Sequence, residues 1–462
     1  MRPLWTSAEI EAACGGKASA SFDVAGVTFD SREVGPGDLF VAMPGTTQDG
    51  HHFVGQAFAA GAAGAIVSRP VDGPHVLVAE VAAALTALAI AARQRTRARI
   101  IGVTGSVGKT STKEALAGAL ERGRQGPVHK SVKSYNNHTG VPLSLARMPQ
   151  VSAFAVLEMG MNNAGEIAAL TALVRPHVAI VTAVAPAHIE NLGSIEAIAD
   201  AKGEIFAGLE QDGVAIIPED SKQRDRLVRA ARGVADQVIT FGLSQDADVT
   251  ALHAVRSEDG GYLITARLLD SELTFTLSQR GEHWVTNSLA VLTAVEAVGG
   301  DLAAAGLALA DMSGLKGRGE RHAVAVAGGE ALLIDESYNA NPASMAATLQ
   351  SLGTESEAKR RIAVLGPMRE LGEHAADLHA GLAEPVLAAK VDRLILIGDD
   401  MAPLEAALGG EMAIDRVATV DEASELLQSM LKAGDVVLVK ASNSVGLAKL
   451  VERMVMETEC ST

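Results

Sequence analysis

Short apolar runs alternate with longer segments of helical periodicity through most of the 462-residue chain. In its middle part, the runs at 99–104, 153–157, 178–182 and 214–217 are rich in Val, Ile and Ala. Strands that are apolar on both faces are typical of a buried parallel sheet. With helical segments between them, these runs predict a doubly wound α/β unit that has helices on both faces of its sheet.

A second set of apolar runs follows in the last third of the chain, again with helical segments between them. These runs lie at 331–335, 361–365, 393–397 and 435–440. Asn341 and Pro342 are typical of a helix N-cap followed by proline at the first helical position. The pattern predicts a second doubly wound, Rossmann-like sheet.

The first part of the chain differs from the other two. Up to about residue 70 it is Gly-rich, with short apolar runs between turn residues, and a helix is predicted at 81–93. A length of 462 residues suits about three domains. We therefore predict three α/β domains: a smaller N-terminal domain at 1–97, a central domain at 98–313 and a C-terminal domain at 314–462.

The composition excludes several classes of protein. The formal net charge is −17, so the basic balance of a nucleic-acid-binding domain is missing and we expect no nucleic-acid partner. Two cysteines, Cys14 and Cys460, argue against a disulfide framework or a cysteine zinc site. The N-terminus lacks the apolar core of a signal peptide, and the Ala/Leu-rich stretch 81–92 is shorter than the about 20 residues of a membrane span. We expect a cytoplasmic protein without a membrane span.

A glycine-rich loop joins the strand at 99–104 to a helix predicted at 111–120. Glycines let backbone N–H groups turn towards an anion, the helix N-terminus adds positive potential, and Lys109 adds a full charge. Thr110 stands where a Mg²⁺ ligand is expected. The loop predicts a site for the phosphates of ATP, although Val103 replaces the first glycine of the strict pattern. The alternative is a glycine-rich turn with a chance lysine. The predicted ATP-binding residues of the loop are Gly105, Ser106, Val107, Gly108, Lys109, Thr110 and Ser111.

Two polar residues follow successive apolar strands, Glu158 after 153–157 and His188 after 178–182. Ligands of open parallel sheets bind at the carboxyl ends of the strands, and a carboxylate there can hold Mg²⁺. Each residue alone is typical of a loop, but together beside the phosphate loop they predict a metal site. Lys202 falls on the apolar stripe of a predicted helix, where a charge needs a partner or a function. The alternative is a lysine whose ammonium reaches solvent at the rim of the stripe.

Further polar residues lie where other elements can complete the site. Asn287 lies early in a predicted helix, where its amide either reads a base or caps the helix. Arg318 either reaches a γ-phosphate across a cleft or is an interdomain surface arginine. Asp335 and Glu336 end a strand, where a ribose or a substrate would be bound, and Lys440 ends another.

Longer motifs run along nearly the whole chain. They are Asp30-Ser-Arg, Gly37-Asp-Leu-Phe-Val-Ala, Gly102-x-Thr-Gly-x-x-Gly-Lys-Thr, Glu158-Met-Gly, Ala187-His188, Ala201-Lys202-Gly-Glu-Ile, Asn287 and Asp335-Glu-Ser-Tyr-Asn-Ala-Asn-Pro342. Together they resemble the Mur ligase family of peptidoglycan precursor enzymes. That family's phosphate loop also lacks the early glycine, so Val103 fits the resemblance.

Other motifs are similar to the family member that adds the last amino acids. They are Ser134-Tyr-Asn136-Asn137-His-Thr-Gly140-Val-Pro-Leu, Ser337-Tyr-Asn-Ala-Asn-Pro342 and Gly366-Pro-Met-Arg-Glu-Leu-Gly372. The resemblance implies that the carboxylate of UDP-N-acetylmuramoyl-tripeptide attacks the γ-phosphate of ATP and becomes an acyl phosphate. It further implies that the amine of D-alanyl-D-alanine then displaces phosphate to give UDP-N-acetylmuramoyl-pentapeptide.

The resemblance also implies a role for each candidate residue. The catalytic residues would be Lys109, Glu158, His188, Lys202 and Arg318. The metal ligands would be Thr110 for one Mg²⁺, and Glu158, His188 and a carbamylated Lys202 for a second. The ATP contacts outside the loop would be Asn287 at adenine, Arg318 at the γ-phosphate, and Asp335 and Glu336 at the ribose, where the family usually has two aspartates. The substrate contacts would be Asn136, Asn137 and, at the UDP end, Ser31, Thr46, Thr47 and Asp49.

Several other functions stay open from the sequence. Within the same class, they are the sibling ligase that adds the third residue and a folate polyglutamating ligase. The sibling's typical Asp-Asn-Pro-Arg motif is absent from the sequence. A regulatory nucleotide-binding module without ligase activity is a different class, and the combination of Glu158, His188 and Lys202 argues against it. We expect a monomer whose partners are small-molecule substrates.

Overall fold

The sheets of the molecule fall in three successive parts of the chain. The computed structural model describes residues 2–45, 48–258 and 260–459, so Thr46 and Thr47, two predicted substrate residues, lie outside the described residues. Each part has a sheet with buried apolar clusters packed on it. This confirms the predicted class of a three-domain α/β protein. Within the described ranges, no helix combines the length and apolar character that a membrane crossing requires.

The N-terminal part carries a small mixed sheet. In spatial order its strands are Lys17–Ala18, His75–Leu77, Gly64–Val67, Asp38–Val41 and Gly26–Thr28. The first pair is antiparallel and the others are parallel. A separate antiparallel pair is formed by Trp5–Thr6 and Asp23–Val24. The helical elements are Ser7–Cys14, Val54–Ala59, Val81–Arg95 and the 3₁₀ turn Gly50–Phe53.

The central part is built on a nine-stranded sheet of described residues. In spatial order its strands are Val128–Lys130, Phe154–Glu158, Arg99–Thr104, Val178–Val181, Val214–Pro218, Gln237–Gly242, Val249–Arg256, Tyr262–Arg267 and Glu272–Leu277. Its helical elements are Lys109–Arg122, Gly140–Ala146, Glu166–Val174, Ile189–Leu192, Ile195–Gly203, Arg224–Ala231, Glu282–Ala297, Leu302–Ala310 and the 3₁₀ turn Glu204–Gly208. Successive side chains of a strand point to opposite faces, and Ile100 and Ile101 accordingly pack in two different apolar cores. The sheet is therefore covered on both faces, as a doubly wound fold requires.

One edge of the central sheet differs from the predicted parallel arrangement. Tyr262–Arg267 pairs antiparallel with Val249–Arg256, and Glu272–Leu277 pairs antiparallel with Tyr262–Arg267. The connections at 257–261 and 268–271 are too short for the crossover that parallel neighbours need. Chain connectivity therefore decides the direction of these edge strands.

The C-terminal part is a second, mainly parallel sheet. In spatial order its strands are Glu320–Val326, Gly329–Glu336, Asp435–Lys440, Arg360–Leu365, Arg393–Ile397 and Ala413–Val417, and the first pair is antiparallel. Its helical elements are Pro342–Gly353, Ala375–Ala380, Ala383–Ala388, Ala402–Leu408, Val420–Met430, Ala448–Glu459 and the 3₁₀ turns Gly372–His374, Asp399–Met401 and Asn443–Val445. The Asn341 side chain accepts a hydrogen bond from the Ser344 N–H at 2.9 Å, with Pro342 at the first helical position. The predicted N-cap is thus confirmed.

The segment 131–147 of the central part packs against the N-terminal part. The Arg147 guanidinium donates a hydrogen bond to the Val27 carbonyl at 2.8 Å. The rings of Tyr135 and Phe29 lie with their centroids 5.4 Å apart. The segment therefore joins the N-terminal sheet to the elements that carry the phosphate loop.

A buried carboxylate, that of Glu355, joins the central and C-terminal parts. Its side chain is 8% exposed and accepts hydrogen bonds from Arg280 at 2.8 and 2.9 Å and from Arg321 at 2.9 and 3.0 Å. Burial raises the pKa of Glu355, but the hydrogen bonds and charges of Arg321 and Arg280 outweigh burial and leave that pKa below its usual value of 4.5. The two arginines therefore share one ionised anchor.

The loop after strand Arg99–Thr104 passes through a position that only glycine fits. Gly105 has a φ of 151°, and a Cβ built on it would lie 1.9 Å from Thr182 Oγ1. Thr182 in turn donates a hydrogen bond to the Val107 carbonyl at 2.5 Å. The loop backbone is thus held against the neighbouring strand end, with no space for a side chain.

Replacing Glu355 with alanine should leave Arg280 and Arg321 partly buried and unpaired, at a cost of about 3 kcal/mol in the free energy of unfolding. Thermal unfolding of the purified variant measures this loss. Glu357 is exposed, so the matched control Glu357→Ala should change stability by less than about 0.5 kcal/mol.

The stability difference between the wild type and Glu355→Ala should also depend on pH. Because the folded pKa of Glu355 lies below the unfolded value of 4.5, its contribution is complete above that pH. The contribution is lost as the pH falls through the folded pKa. A difference that stays constant at acidic pH, or equal stability of the Glu355 and Glu357 variants, would contradict an ionic anchor.

Replacing Gly105 with alanine should displace the phosphate loop, because the new methyl group would overlap Thr182 Oγ1. Loss of one charge-assisted hydrogen bond from the loop to the phosphates, about 1.4 kcal/mol, should weaken ATP binding about tenfold. Isothermal titration calorimetry measures this affinity. At the control position Gly118, inside helix Lys109–Arg122, a Cβ meets nothing within 4 Å, and alanine is favoured there by about 1 kcal/mol. Gly118→Ala should keep its ATP affinity and unfold at a higher temperature. Full ATP affinity in Gly105→Ala would speak against the loop's predicted role.

Candidate active site

The predicted phosphate loop lies between strand Arg99–Thr104 and helix Lys109–Arg122. Gly108 occupies the N-cap of this helix with a φ of 85°. The Ser106 hydroxyl donates a hydrogen bond to the Ala185 carbonyl at 2.9 Å, which ties the loop to the end of the next strand. A helix leaves its first N–H groups without intrahelical partners, so the loop is suited to bind an anion.

Lys109 and Arg318 bring two positive charges to this loop from separate parts of the chain. The Lys109 ammonium donates a hydrogen bond to the Gly105 carbonyl at 2.7 Å. Burial lowers the pKa of Lys109; the charge of Glu158 opposes that decrease and the charge of Arg318 adds to it. The Arg318 guanidinium stacks 4.0 Å from the centre of the Tyr338 ring. A bound phosphate would offset the repulsion between the two cations.

Glu158 is a buried carboxylate beside the phosphate loop, with an exposed fraction of 1%. Its two oxygens accept hydrogen bonds from the Thr110 hydroxyl at 2.9 Å and from the Asn136 amide at 2.7 Å. Its backbone N–H donates to Ser131 Oγ at 2.9 Å. Both side-chain partners are neutral, so Lys109 is left to compensate the charge from farther away.

His188 is held in an uncommon backbone conformation at the start of helix Ile189–Leu192. Its φ is 61°, in the left-handed region that non-glycine residues seldom adopt. It lines the same cavity as Glu158, and its Nδ1 contacts the Glu370 carboxylate of the C-terminal part. The hydrogen bond and charge of His188 lower the pKa of Glu370 against the opposing effect of burial. Nε2 is therefore the ring nitrogen left for a ligand.

Lys202 is buried on the apolar stripe of helix Ile195–Gly203, together with Ile198. It is 2% exposed and lines the cavity, so the alternative of a lysine that reaches solvent does not apply. Burial, and then the charge of Lys109, bring the pKa of Lys202 well below its usual value. Among the residues that the structure describes, no carboxylate forms an ion pair with it. A plain ammonium is thus poorly compensated in this position.

The predicted metal ligands fit Mg²⁺ once Lys202 is modified. Mg²⁺ prefers oxygen ligands, and the Thr110 hydroxyl and the buried Glu158 carboxylate supply them. The neutral partners of Glu158 leave a net negative charge for a cation. An unmodified Lys202 would repel that cation, whereas a carbamate on the same nitrogen would offer it oxygen atoms.

The cavity that these residues share has a volume of about 510 Å³. The predicted residues that line it are Ser106, Val107, Gly108, Lys109, Thr110, Ser111, Asn136, Asn137, Glu158, His188, Lys202, Asn287, Arg318 and Glu336. Asp335 instead lines a neighbouring cavity of about 640 Å³, which Thr110 and Arg318 share. Ser31 and Asp49, the predicted UDP-end residues that the structure describes, line neither cavity. Gly105 also lines neither cavity. The structure therefore brings the predicted metal residues and most of the predicted ATP residues together, and keeps the described UDP residues apart from them.

Asn287 lies in the second turn of helix Glu282–Ala297, so it does not cap that helix. It is 9% exposed. A Cβ built on Gly108 would lie 3.2 Å from Asn287 Oδ1. The amide is therefore next to the phosphate loop, and its contact with adenine stays a prediction.

Three charged residues of the C-terminal part line the two cavities, Glu336 and Lys440 the first and Asp335 the second. Asp335 accepts a hydrogen bond at 3.0 Å from the N–H group of Gly317, next to Arg318. The Lys440 ammonium donates to the Glu336 carboxylate at 3.2 Å. Burial lowers the pKa of Lys440, and the charge of Glu336 opposes that decrease. These bonds give the residues local structural roles, and the ribose contacts of Asp335 and Glu336 stay predictions.

The predicted substrate residues of the described ranges also have partners within the protein. Asp49 accepts hydrogen bonds from the backbone N–H and the ring of His51, which lower its pKa to about 2. Asn137 Oδ1 accepts a hydrogen bond from the Gly140 N–H at 2.9 Å and so begins the following helix. Ser31 lies half-buried in a turn. Their contacts with a substrate stay predictions.

Sequence reasoning missed contacts that the C-terminal part makes with residues lining the cavity. The Asn341 amide donates a hydrogen bond to the Ser106 carbonyl at 3.4 Å, so a helix N-cap also contacts the phosphate loop. Tyr338 supports Arg318, and Glu370 contacts His188. All three lie in the motifs 335–342 and 366–372, and membership of those motifs is the one signal that could have found them.

A second acidic group, also missed, lies outside the predicted metal set. Ligand atoms of Glu320, His322 and Asp335 are within 4.8 Å of one another in the described part of the chain. His322 is already 3.6 Å from Glu320, and Asp335 accepts a backbone hydrogen bond. His322 Nε2 is nevertheless buried without a hydrogen-bond partner among the described residues, so these side chains do not satisfy one another.

Family profiles match the sequence in three consecutive blocks. They are described as Mur ligase family, catalytic domain, for residues 23–114; Mur ligase middle domain, for residues 103–295; and Mur ligase, glutamate ligase domain, for residues 317–443.

Individual relatives match over nearly their full length. The UDP-N-acetylmuramoyl-tripeptide–D-alanyl-D-alanine ligase of Bacillus subtilis is 35% identical over 93% of this chain and 93% of its own, and that of Escherichia coli is 34% identical over 94% of each. Crystal structure I of MurF from Acinetobacter baumannii superposes with a TM-score of 0.83 at 29% identity, covering 98% of this chain and 99% of that one. MurF ligase from Thermotoga maritima in complex with ADP gives 0.75 at 27% identity, covering 95% and 98%. The chain belongs to the Mur ligase family.

Proposed function

We propose that this chain is an ATP-dependent ligase that joins D-alanyl-D-alanine to UDP-N-acetylmuramoyl-tripeptide through an amide bond. The observation that carries the proposal is the convergence of Lys109, Arg318 and the buried Glu158 carboxylate on one cavity at the phosphate loop. Curated relatives of that activity are 34% and 35% identical over nearly the whole chain, which supports the choice of substrates. The product, UDP-N-acetylmuramoyl-pentapeptide, is a peptidoglycan precursor.

The reaction has to turn a carboxylate, a poor electrophile, into an acylating group. In the first step, an oxygen of the tripeptide carboxylate bonds to the γ-phosphorus of ATP while the bond to the β–γ bridging oxygen breaks. ADP leaves with that electron pair, and an acyl phosphate remains. In the second step, the amine of D-alanyl-D-alanine bonds to the acyl carbon and loses a proton, and inorganic phosphate leaves.

Both reactants of the first step are anions, so the site must offset their repulsion. Lys109 and Arg318 place two cations beside the phosphate loop in a buried setting, where charges act more strongly than in water. The residues that would hold two Mg²⁺ ions are Thr110 for one, and Glu158, His188 and a carbamylated Lys202 for the other. Bound Mg²⁺ supplies further positive charge to the transferring phosphoryl group.

A carbamate on Lys202 would resolve the conflict between its burial and its place among metal ligands. The ammonium first loses a proton, and the neutral amine then bonds to the carbon of CO₂ and releases a second proton. An anion thereby replaces a buried cation. The absence of a carboxylate partner for Lys202 among the described residues supports this modification. The two new oxygen atoms would complete an oxygen-rich ligand set with Glu158.

We propose a separate role for each of the three domains. Residues 1–97 would bind the UDP end through Ser31, Asp49 and their neighbours, and residues 98–313 would bind ATP and carry the ligation. Residues 314–462 would complete the ATP site through Arg318. We also propose that the enzyme acts as a monomer in the cytoplasm, and gel filtration tests the monomer.

Phosphate release by the purified enzyme should require ATP, Mg²⁺, UDP-N-acetylmuramoyl-tripeptide and D-alanyl-D-alanine together, because the acyl phosphate is consumed only when the amine is present. A coupled phosphate assay, with omission of one component at a time, measures this. Turnover with UDP-N-acetylmuramoyl-dipeptide and a single amino acid would identify the sibling ligase instead. Turnover with a folate and glutamate would identify the polyglutamating type, and ATP binding without release in any mixture would identify a regulatory module.

Lys202→Ala should lower activity at least about a hundredfold, the upper range for disturbed metal-ligand environments. Short carboxylic acids such as acetate should restore part of it, because they can place oxygen atoms where the carbamate would lie. Lys222, which is exposed, gives the control Lys222→Ala, with wild-type activity expected. A carbamate carbon signal in ¹³C NMR after labelling with ¹³C-bicarbonate should be present in the wild type and lost in Lys202→Ala. Full activity of Lys202→Ala would refute the modification.

A further inference from the structure

A segment of the C-terminal part, residues 366–372, lies against the central part; we call it the docking loop. The Glu190 N–H donates a hydrogen bond to the Glu370 carbonyl at 3.3 Å. A Cβ built on Gly372 would lie 3.1 Å from Glu190 Cγ, so the docking loop fits closely on helix Ile189–Leu192. The proposed function gives this segment no role, although its sequence is one of the motifs singled out above.

Buried groups of the C-terminal part fix the docking loop from behind. The Met368 N–H donates a hydrogen bond to His379 Nε2 at 2.9 Å, and His379 is 2% exposed. The Arg369 N–H donates to Ser442 Oγ at 2.9 Å. Consecutive backbone groups are thus anchored immediately before Glu370, which sets the direction in which its side chain leaves the loop.

Glu370 and His188 meet in conformations that each residue would avoid on its own. Their φ angles are 62° and 61°, both in the left-handed region. Non-glycine residues stay in that region only where the surroundings determine it, and such places cluster at functional sites. The Glu370 carboxylate lies within ion-pair distance of His188 Nδ1, a buried nitrogen that has hydrogen-bond geometry with no partner among the described residues. A carboxylate on Nδ1 favours the tautomer that carries its proton there, and Nε2 then has a free lone pair.

We infer that Glu370 is a positioning residue for His188: it holds the imidazole with Nε2 towards the cavity and Nδ1 protonated. The C-terminal part thereby completes the metal site of the central part from the other side of the cleft. The inference rests on the proposed role of His188 as a metal ligand. It adds a residue from another domain, which sequence reasoning did not assign to the site.

Binding of Mn²⁺ alone to the full chain, measured from the EPR signal of the free ion, tests the inference without turnover. Glu370→Ala should weaken Mn²⁺ binding about tenfold or more, the usual cost of removing the carboxylate behind a metal-bound histidine. Glu370→Gln should lose less, because its amide oxygen can still accept a hydrogen bond from Nδ1. Glu373, exposed in the adjoining 3₁₀ turn, gives the control Glu373→Ala, with unchanged affinity expected.

A double-mutant cycle separates positioning from a merely structural effect of the loop. If Glu370 acts through His188, Glu370→Ala should weaken Mn²⁺ binding no further in a His188→Ala background. Equal losses in both backgrounds, or wild-type affinity in both Glu370 variants, would overturn the inference alone. Wild-type affinity in His188→Ala would instead overturn the proposed metal role, and the inference with it. Should Glu370→Ala not fold, Glu370→Gln carries the same comparison.

Discussion

Burial of charge at the carboxyl edge of the central sheet is the constraint on which the rest of the site depends. A carboxylate with two neutral partners and a lysine without a described counter-ion are both almost fully buried, at Glu158 and Lys202. Such groups cost several kcal/mol each unless something compensates them. Lys109 compensates part of the Glu158 charge but disfavours a charged Lys202. A metal ion would compensate Glu158 further, and a bound phosphate would offset the nearby positive charges. The site is therefore least satisfied when empty, which favours ligand binding.

Contacts at two separate places connect the C-terminal part to the central part. Arg280 of the central part gives Glu355 two charge-assisted hydrogen bonds, and Arg321 adds two from within the C-terminal part. Beside the cavity, Asn341 reaches the phosphate loop through one bond of 3.4 Å, and Glu370 contacts His188. The strong anchor lies apart from the residues that line the cavity. The C-terminal part is thus attached to the central part both at the cavity and away from it.

Much of the fold could be predicted from the sequence because its central strands are apolar on both faces. The runs at 393–397 and 435–440 match the observed strands residue for residue. Edge strands were missed: Glu320–Val326 and Ala413–Val417 mix charged with apolar residues because only part of each is buried. The antiparallel edge at 262–277 was missed because its direction depends on short connections rather than on hydrophobic pattern.

Part of the site could be predicted from one rule, that ligands bind at the carboxyl ends of parallel strands. That rule, with the glycine loop, selected Glu158 and His188, and both line the cavity. It could not predict the hydrogen bond from Asn341 to Ser106, since that contact joins positions 235 residues apart in the sequence. Whether Asp335 and Asn137 contact ligands could not be read from their types either, because the same oxygen atoms also accept backbone hydrogen bonds.

The segment 131–147 has a consequence for how the two ends of a long substrate are sensed. Consecutive residues contact two different parts: Tyr135 packs on the N-terminal part, and Asn136 donates a hydrogen bond to the Glu158 carboxylate. A ligand that shifted this segment would therefore affect both the phosphate site and the proposed UDP site. Thermodynamic linkage makes that bias reciprocal. If a UDP-linked substrate raised the affinity of the phosphate site by some factor, occupancy of the phosphate site would raise the affinity for that substrate by the same factor.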